Sequence, residues 1–193
     1  MRLIVGISGA SGVIMGYELL RALKGIDEAE SHLVMTKSAE RTFSCETELS
    51  LEEVRRQADV WYEADNLGAD ISSGSFRTEG MIVIPCSMKT VAGIVSGYSE
   101  NLLLRAADVC LKEGRRVVLV PREMPLSRIH LRNLLEASES GCQILPPVLT
   151  FYNGADSVEK QVQHIIGKLL MQFNLVYKPF VPWKQDKNSS VFS

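Results

Sequence analysis

Five short β-branched runs recur along the chain, and stretches with helical periodicity separate most of them. The runs fall at residues 3–7, 32–36, 81–85, 116–120 and 143–145. They are continuously apolar instead of alternating with polar residues, the pattern of strands buried on both faces. Residues 13–24 carry apolar side chains at 13, 14, 15, 19, 20 and 23, which is helical spacing. Residues 51–60 follow Ser50, with Glu53 three positions on, so a capping box opens that helix. Residues 101–113 and 126–140 read as amphipathic helices, and residues 157–177 as the longest, with Ser157 as its cap. Strands alternating with helices predict an α/β fold, a doubly wound parallel sheet in three α/β/α layers. Ligands of such sheets bind beyond the carboxyl ends of the strands. Functional residues are therefore expected at 6–12, 36–38, 86–90, 122–123 and 146–152.

The chain has 193 residues, enough for one domain with its own core. The expected organisation is a single nucleotide-binding domain over residues 1–178, followed by a tail over 179–193. Pro179 and Pro182 stop the last helix, and Phe180, Val181 and Trp183 would be odd on a solvated tail. That tail is expected to pack on a neighbouring subunit, with its last six or so residues loose. A net charge of -2 argues against general nucleic-acid binding, which needs a basic field. The 46% hydrophobic content argues against disorder. No apolar run approaches the ~18–20 residues of a membrane span, and the N-terminal segment lacks the apolar core and cleavage site of a signal peptide. Cys45, Cys86, Cys110 and Cys142 form no CxxC pair, so buried thiols in a reducing compartment are expected. The expected location is the cytoplasm.

Four places can carry chemistry. GISGASG at 6–12 joins a strand to a helix, where free amides and the helix dipole favour an anion and Ser11 adds a hydroxyl. It is neither GxGxxG nor a Walker A loop, and the second strand ends Met35-Thr36-Lys37 without a ribose-binding acid. A phosphate-bearing mononucleotide therefore fits better than a dinucleotide; the competing reading is a tight turn with no ligand. At PCSMKT, 85–90, Ser87 and Thr90 can donate to the ring edge or ribityl hydroxyls of a flavin, or Ser87 can simply cap the next helix. Arg122-Glu123 follows an apolar strand: the guanidinium suits a phosphate, and a carboxyl beside phosphates can act as an acid. The alternative is a surface ion pair. Lys112 closes a helix, Tyr152 alone would be a packing residue, and Lys168 alone a solvated lysine. His32, His130 and His164 have no metal spacing and no nucleophile beside them, so no metal site is expected.

GISGASG, SGSFRTEGM, PCSMKT, LVPRE and IHLRNLL, in this order, resemble the UbiX/Pad-type flavin prenyltransferases over residues 1 to about 183. These have a Rossmann-like fold, and some carry the older name aromatic acid decarboxylase. The resemblance implies FMN held by Gly9, Ala10, Ser11, Thr36, Ser87, Met88, Lys89, Thr90 and Arg122. It also implies that Tyr152 and Lys168 bind the phosphate of dimethylallyl monophosphate, reaching across from a neighbouring subunit. Lys112 and Glu123 fall on prenyl-phosphate positions, and Trp183 near an aromatic that covers the site. Glu123, Lys112 and Ser11 would be the catalytic set, acting without a metal. Threonine at 36 replaces the common serine and keeps the hydroxyl. Lysine at 168 replaces the common arginine and loses its fork of donors. The implied reaction joins a dimethylallyl group to reduced FMN at N5 and C6. The prenylated FMN would serve a UbiD-type decarboxylase, and the assembly would have twelve subunits. Two other readings compete. An FMN-dependent decarboxylase of aromatic acids or peptidyl cysteine usually carries a first-helix histidine and an Asn in the 85–90 block, both missing here. A plain flavin carrier would give Arg122-Glu123, Lys112 and Tyr152 no reason to converge.

Overall fold

A computed structural model describes residues 1–183. The expected looseness of the last residues falls on positions outside that range. The chain divides into two compact units, Met1–Pro147 and Val148–Ser193, each taken separately below.

The first unit holds a six-stranded parallel sheet of β1 (Arg2–Ile7), β2 (Glu30–Met35), β3 (Val60–Tyr62), β4 (Gly80–Cys86), β5 (Arg116–Pro121) and β6 (Cys142–Ile144). Their order is β3-β2-β1-β4-β5-β6, so the winding reverses between β1 and β4. All five expected strands are present within two residues of their expected ends. Successive side chains of a strand point to opposite faces, and both faces here are dry. Ile4, Met81, Val83, Val117 and Leu119 join the core of α4 (Met88–Val95) and α5 (Leu102–Lys112). Leu3, Val5, Ile7, Ile82, Ile84 and Val118 are equally buried on the other face. There α1 (Ile14–Lys24) lies so close that any side chain at Gly16 would strike Ile7 and the Ile84 carbonyl.

Two elements of this unit were not expected. α2 (Lys37–Glu46) is polar nearly throughout and buries only Ala39 and Phe43, so it carries little periodic signal. β3 takes Val60, the last residue of the helix expected over 51–60, together with Trp61 and Tyr62. The capping box of Ser50 and Glu53 does open α3 (Leu51–Arg55), but this helix stops five residues short of the expected end at 60. Val60-Trp61-Tyr62 then pairs with β2, as β-branched and aromatic side chains favour. α6 (Arg128–Glu139) buries only Ala137 and leaves Ile129, Leu131 and Leu135 exposed. Three cysteines are buried, and burial pushes the thiols of Cys110 and Cys142 up to about 11. Cys45, expected to be buried, is exposed on the polar helix α2.

The second unit is built on α7 (Val158–Met171), capped by Ser157 through the Lys160 amide. It ends six residues before the expected 177, where Asn174 adopts a left-handed conformation (φ 58°) that stops a helix. Gln161 ties the preceding loop to α7 by bonds to both the amide and the carbonyl of Thr150 (2.9 and 2.8 Å). The tail is partly spoken for within this unit. Phe180 lies on α7 where Gly167 has no side chain; a Cβ there would overlap its ring. Trp183 meets the Tyr152 ring edge-on at 4.9 Å yet stays exposed.

Candidate active site at the strand tips

The loops that leave β1, β2, β3 and β4 meet the start of α5 around a cleft of about 410 Å³. This is the size of a small-molecule site, at the crevice where strand order reverses. Gly9, Thr36, Lys37, Ser38, Asp65 and Ser87 line it, with Lys89, Thr90, Glu100, Asn101 and Leu104.

Three helices present their N-termini to the cleft, and each has a side-chain cap. Thr36 Oγ1 accepts from the Ala39 amide (3.2 Å), Ser87 Oγ from Thr90 (3.3 Å), and Asn101 Oδ1 from Leu104 (3.0 Å). Helix N-termini and two ammonium groups make the cleft favourable to an anion. The lysines are balanced by acids at the rim: Lys37 lies 3.7 Å from Asp65, and Lys89 3.6 Å from Glu100. Gly9 is required by close approach, because a Cβ there would collide with Cβ of Ser38. The first loop can thus lie against the start of α2, and both line the cleft. Hydroxyls, amides, ammonium groups and the apolar Leu104 and Ala64 together suit a phosphorylated, polyhydroxylated aromatic molecule such as FMN.

One buried hydroxyl holds the two central strand tips together. Ser8 is 1% exposed. Its Oγ donates to the Pro85 carbonyl (3.0 Å) and accepts from the Ser87 amide (2.7 Å), while its own amide also bonds Pro85 (3.2 Å). Ser8 and the cleft residues Lys37, Ser38, Asp65, Glu100 and Asn101 were not singled out from sequence. Their signal was the strand-tip rule, which had already marked positions 6–12 and 36–38; Asp65 follows β3, which sequence did not resolve, and Glu100 and Asn101 stand at the start of the helix expected over 101–113.

The expected site residues separate into groups. Gly9, Thr36, Ser87, Lys89 and Thr90 line the cleft. Ala10 and Ser11 continue the same loop, Ala10 buried and Ser11 exposed. Met88 turns its side chain into the core, so only its backbone is left for a ligand. Arg122 is exposed but anchored beside the tip of β4, its amide donating to the Cys86 carbonyl (3.1 Å). Glu123 is exposed and accepts from the Met124 amide (3.0 Å). The phosphate expected on the α1 turn meets a competitor, since the Gly12 amide already donates to Glu46 (2.8 Å).

Lys112 lies away from the cleft of its own chain. It ends α5, whose C-terminus leads into the start of β5 and so lies at the opposite edge of the sheet from the strand tips. There it pairs with Glu113 (2.5 Å), whose carboxyl it holds below the usual carboxylate range by hydrogen bond and charge. Tyr152, Lys168 and Trp183 belong to the second unit. Its Tyr152 and Trp183 rings touch, and Lys168 stands exposed on α7. Among the described residues, no cluster of three His, Cys, Asp or Glu side chains could hold a metal ion. No described helix is long and apolar enough to cross a membrane.

A reversing parallel sheet whose strand tips enclose an anion-favouring cleft defines a nucleotide-binding α/β protein, and the comparisons specify its kind. The flavoprotein family profile matches residues 1–173. A relative from Sedimentibacter hydroxybenzoicus, which carries the name UbiX-like flavin prenyltransferase, is 58% identical over 188 residues, 97% of this chain and 100% of its own. The structure of a dodecameric FMN-dependent UbiX-like decarboxylase from Escherichia coli O157:H7 superposes with a TM-score of 0.94 at 50% identity, covering 96% of this chain and 100% of that one. That of AnUbiX (PadA1), in complex with FMN and dimethylallyl pyrophosphate, has a TM-score of 0.93 at 47% identity, covering 95% and 97%. The chain belongs to the UbiX-like flavin prenyltransferases.

Proposed function

We propose that the protein transfers the dimethylallyl group of dimethylallyl monophosphate to reduced FMN, forming bonds at N5 and C6. The observation that carries this reading is the cleft at the β1/β4 reversal, with three capped helix N-termini and the close approach at Gly9. The backbone at Gly9, Ala10 and Ser11 holds the flavin, with Thr36, the segment from Ser87 through Met88 and Lys89 to Thr90, and Arg122. Reduced FMN supplies the nucleophilic positions.

The chemical difficulty is loss of phosphate from an allylic carbon. The C–O bond breaks with its electron pair going to phosphate, so the protein must neutralise growing negative charge there. Arg122 and Lys168 provide charge, and Tyr152 a hydroxyl donor. Lys112 adds a further cation from a neighbouring subunit, since its own chain places it at the far edge of the sheet. Tyr152, Lys168 and Trp183 likewise come from a neighbouring subunit, and the Trp183 ring offers a π surface to the positive allyl group. Glu123 gives a proton to the departing phosphate; when C6 then bonds the far allyl carbon, the double bond takes up one proton and C6 gives one up, a removal that Ser11 assists. With these side chains in place, positioning two bound molecules in a dry cleft accounts for the rest of the rate.

The assembly is a homododecamer, which suits the exposed apolar side chains of α6. The product goes to a UbiD-type decarboxylase, and the protein works in the cytoplasm. Anaerobic incubation with reduced FMN and dimethylallyl monophosphate, followed by mass spectrometry of the flavin, tests the reaction. A flavin heavier by one prenyl unit supports it. Unchanged FMN, or decarboxylation of an aromatic acid by the protein alone, overturns it.

A further inference from the structure

His164 is one of the few buried polar residues of the second unit, and the reaction as described does not use it. It is 5% exposed on α7. Its Nε2 lies 3.5 Å from the Tyr152 hydroxyl, with the rings edge-on at 5.7 Å. The Phe180 ring covers it at 5.0 Å, and Nδ1 is buried with no hydrogen-bond partner. Lys168 follows one helical turn later, so His164 stands beside both residues assigned to the substrate phosphate.

We propose that His164 is a positioning residue that fixes the Tyr152 hydroxyl as a donor toward the phosphate of the allylic substrate. The inference rests on the reading that Tyr152 meets that phosphate. The argument is one of hydrogen-bond direction. A phosphate oxygen only accepts, so Tyr152 must give it the O–H proton, and the phenol oxygen is then left to accept from behind. His164 can serve it only as the tautomer with hydrogen on Nε2. That tautomer leaves Nδ1 as a bare acceptor against apolar neighbours. The other tautomer would bury an unpaired N–H and take the phenol proton away from the substrate. The doubly protonated ring would also bury an unpaired N–H. Burial first, and then the charge of Lys168, lower the His164 pKa, in keeping with a neutral ring. Lys160, which shares a small pocket with His164, is paired with Asp156 (2.7 Å). An N–H donating into the phenol oxygen polarises its O–H and strengthens the bond to phosphate. The 3.5 Å separation is at the long limit of a hydrogen bond and should shorten when substrate orders the phenol.

The test uses the whole enzyme with reduced FMN and dimethylallyl monophosphate. His164→Leu should lower kcat/KM by about ten-fold, the usual weight of one such bond, with FMN affinity unchanged. His164→Gln, whose amide nitrogen reaches the Nε2 position, should recover most of this; His164→Asn, reaching only the Nδ1 position, should not. In a Tyr152→Phe background, His164→Leu should cost nothing further, because the hydroxyl it orients is gone. An equal loss in both backgrounds, or equal activity of the Gln and Asn variants, overturns the proposal. Should the Leu variant fail to assemble, the Gln and Asn comparison still decides. Full activity of Tyr152→Phe would instead refute the phosphate-binding reading on which the proposal rests.

Discussion

Ser8→Ala is the sharpest test of how the cleft is held together. The hydroxyl is 1% exposed and makes two bonds, donating to the Pro85 carbonyl at 3.0 Å and accepting from the Ser87 amide at 2.7 Å. Alanine fits the same space but offers the Ser87 amide no acceptor. The Pro85 carbonyl keeps the Ser8 amide at 3.2 Å, so only one group is orphaned. An orphaned buried amide costs about 1–3 kcal/mol and a lost bond about 1, so the sum is roughly 2–4 kcal/mol. In a chain of this size that lowers Tm by roughly 5–15 °C. Differential scanning fluorimetry at one fixed protein concentration measures it, since assembly makes Tm depend on concentration. Ser96→Ala is the control, removing an exposed hydroxyl that bonds the Gly93 carbonyl at a helix end; it should shift Tm by no more than about 2 °C. FMN affinity should also fall in Ser8→Ala, because Ser87 caps the helix whose N-terminus lines the cleft. A Ser8→Ala protein as stable as the Ser96→Ala control would refute the claim that this hydroxyl joins the two strand tips.

Three other outcomes are expected. Gly9→Val, whose side chain would strike Ser38 at the start of α2, should abolish FMN retention on gel filtration; a yellow variant would show that the close packing of these two loops is not needed to hold the flavin. Glu123→Gln should bind FMN normally but turn over at least ~100-fold more slowly, as loss of a general acid does, and wild-type rates would remove Glu123 from the mechanism. Burial lowers the His32 pKa below its ordinary 6.5, partly opposed by Glu30. The unfolded chain therefore gains this proton first, so its contribution is complete above about pH 6.5 and is lost as pH falls toward the lower folded pKa. Tm should decline as pH falls below about 6.5, and His32→Asn should decline less steeply; equal slopes would exclude His32 as the source.

The sheet was legible in sequence because β1, β2, β4 and β5 are buried on both faces and so are mostly apolar, while β6, with Gln143 exposed, was legible only as a short run. β3 was not, being three residues long with Trp61 half out in solvent under the Arg55 guanidinium. Nor was α2, whose two buried side chains are too few to mark a period. The strand-tip rule located the loops of the cleft before any chemistry was assigned to them. What it could not supply was the partners that arrive from distant sequence. Glu46 reaches the Gly12 amide across 34 positions, and Ser8 reaches Ser87 across 79. Lys112 shows the opposite case: its place at a helix end was plain, but which edge of the sheet that end faces depends on the helix running back between β4 and β5. His164 was weighed as one helical histidine among three, since nothing in its own spacing announces that Tyr152 packs against it.

The central claim is that the flavin lies against the tips of β1 and β4. A crystal structure of the protein with FMN tests it most directly. The account predicts isoalloxazine and phosphate density in the cleft lined by Gly9, Thr36, Ser87 and Thr90, with Arg122 turned toward it. Flavin density at the opposite edge of the sheet, near Lys112 of the same chain, would contradict it.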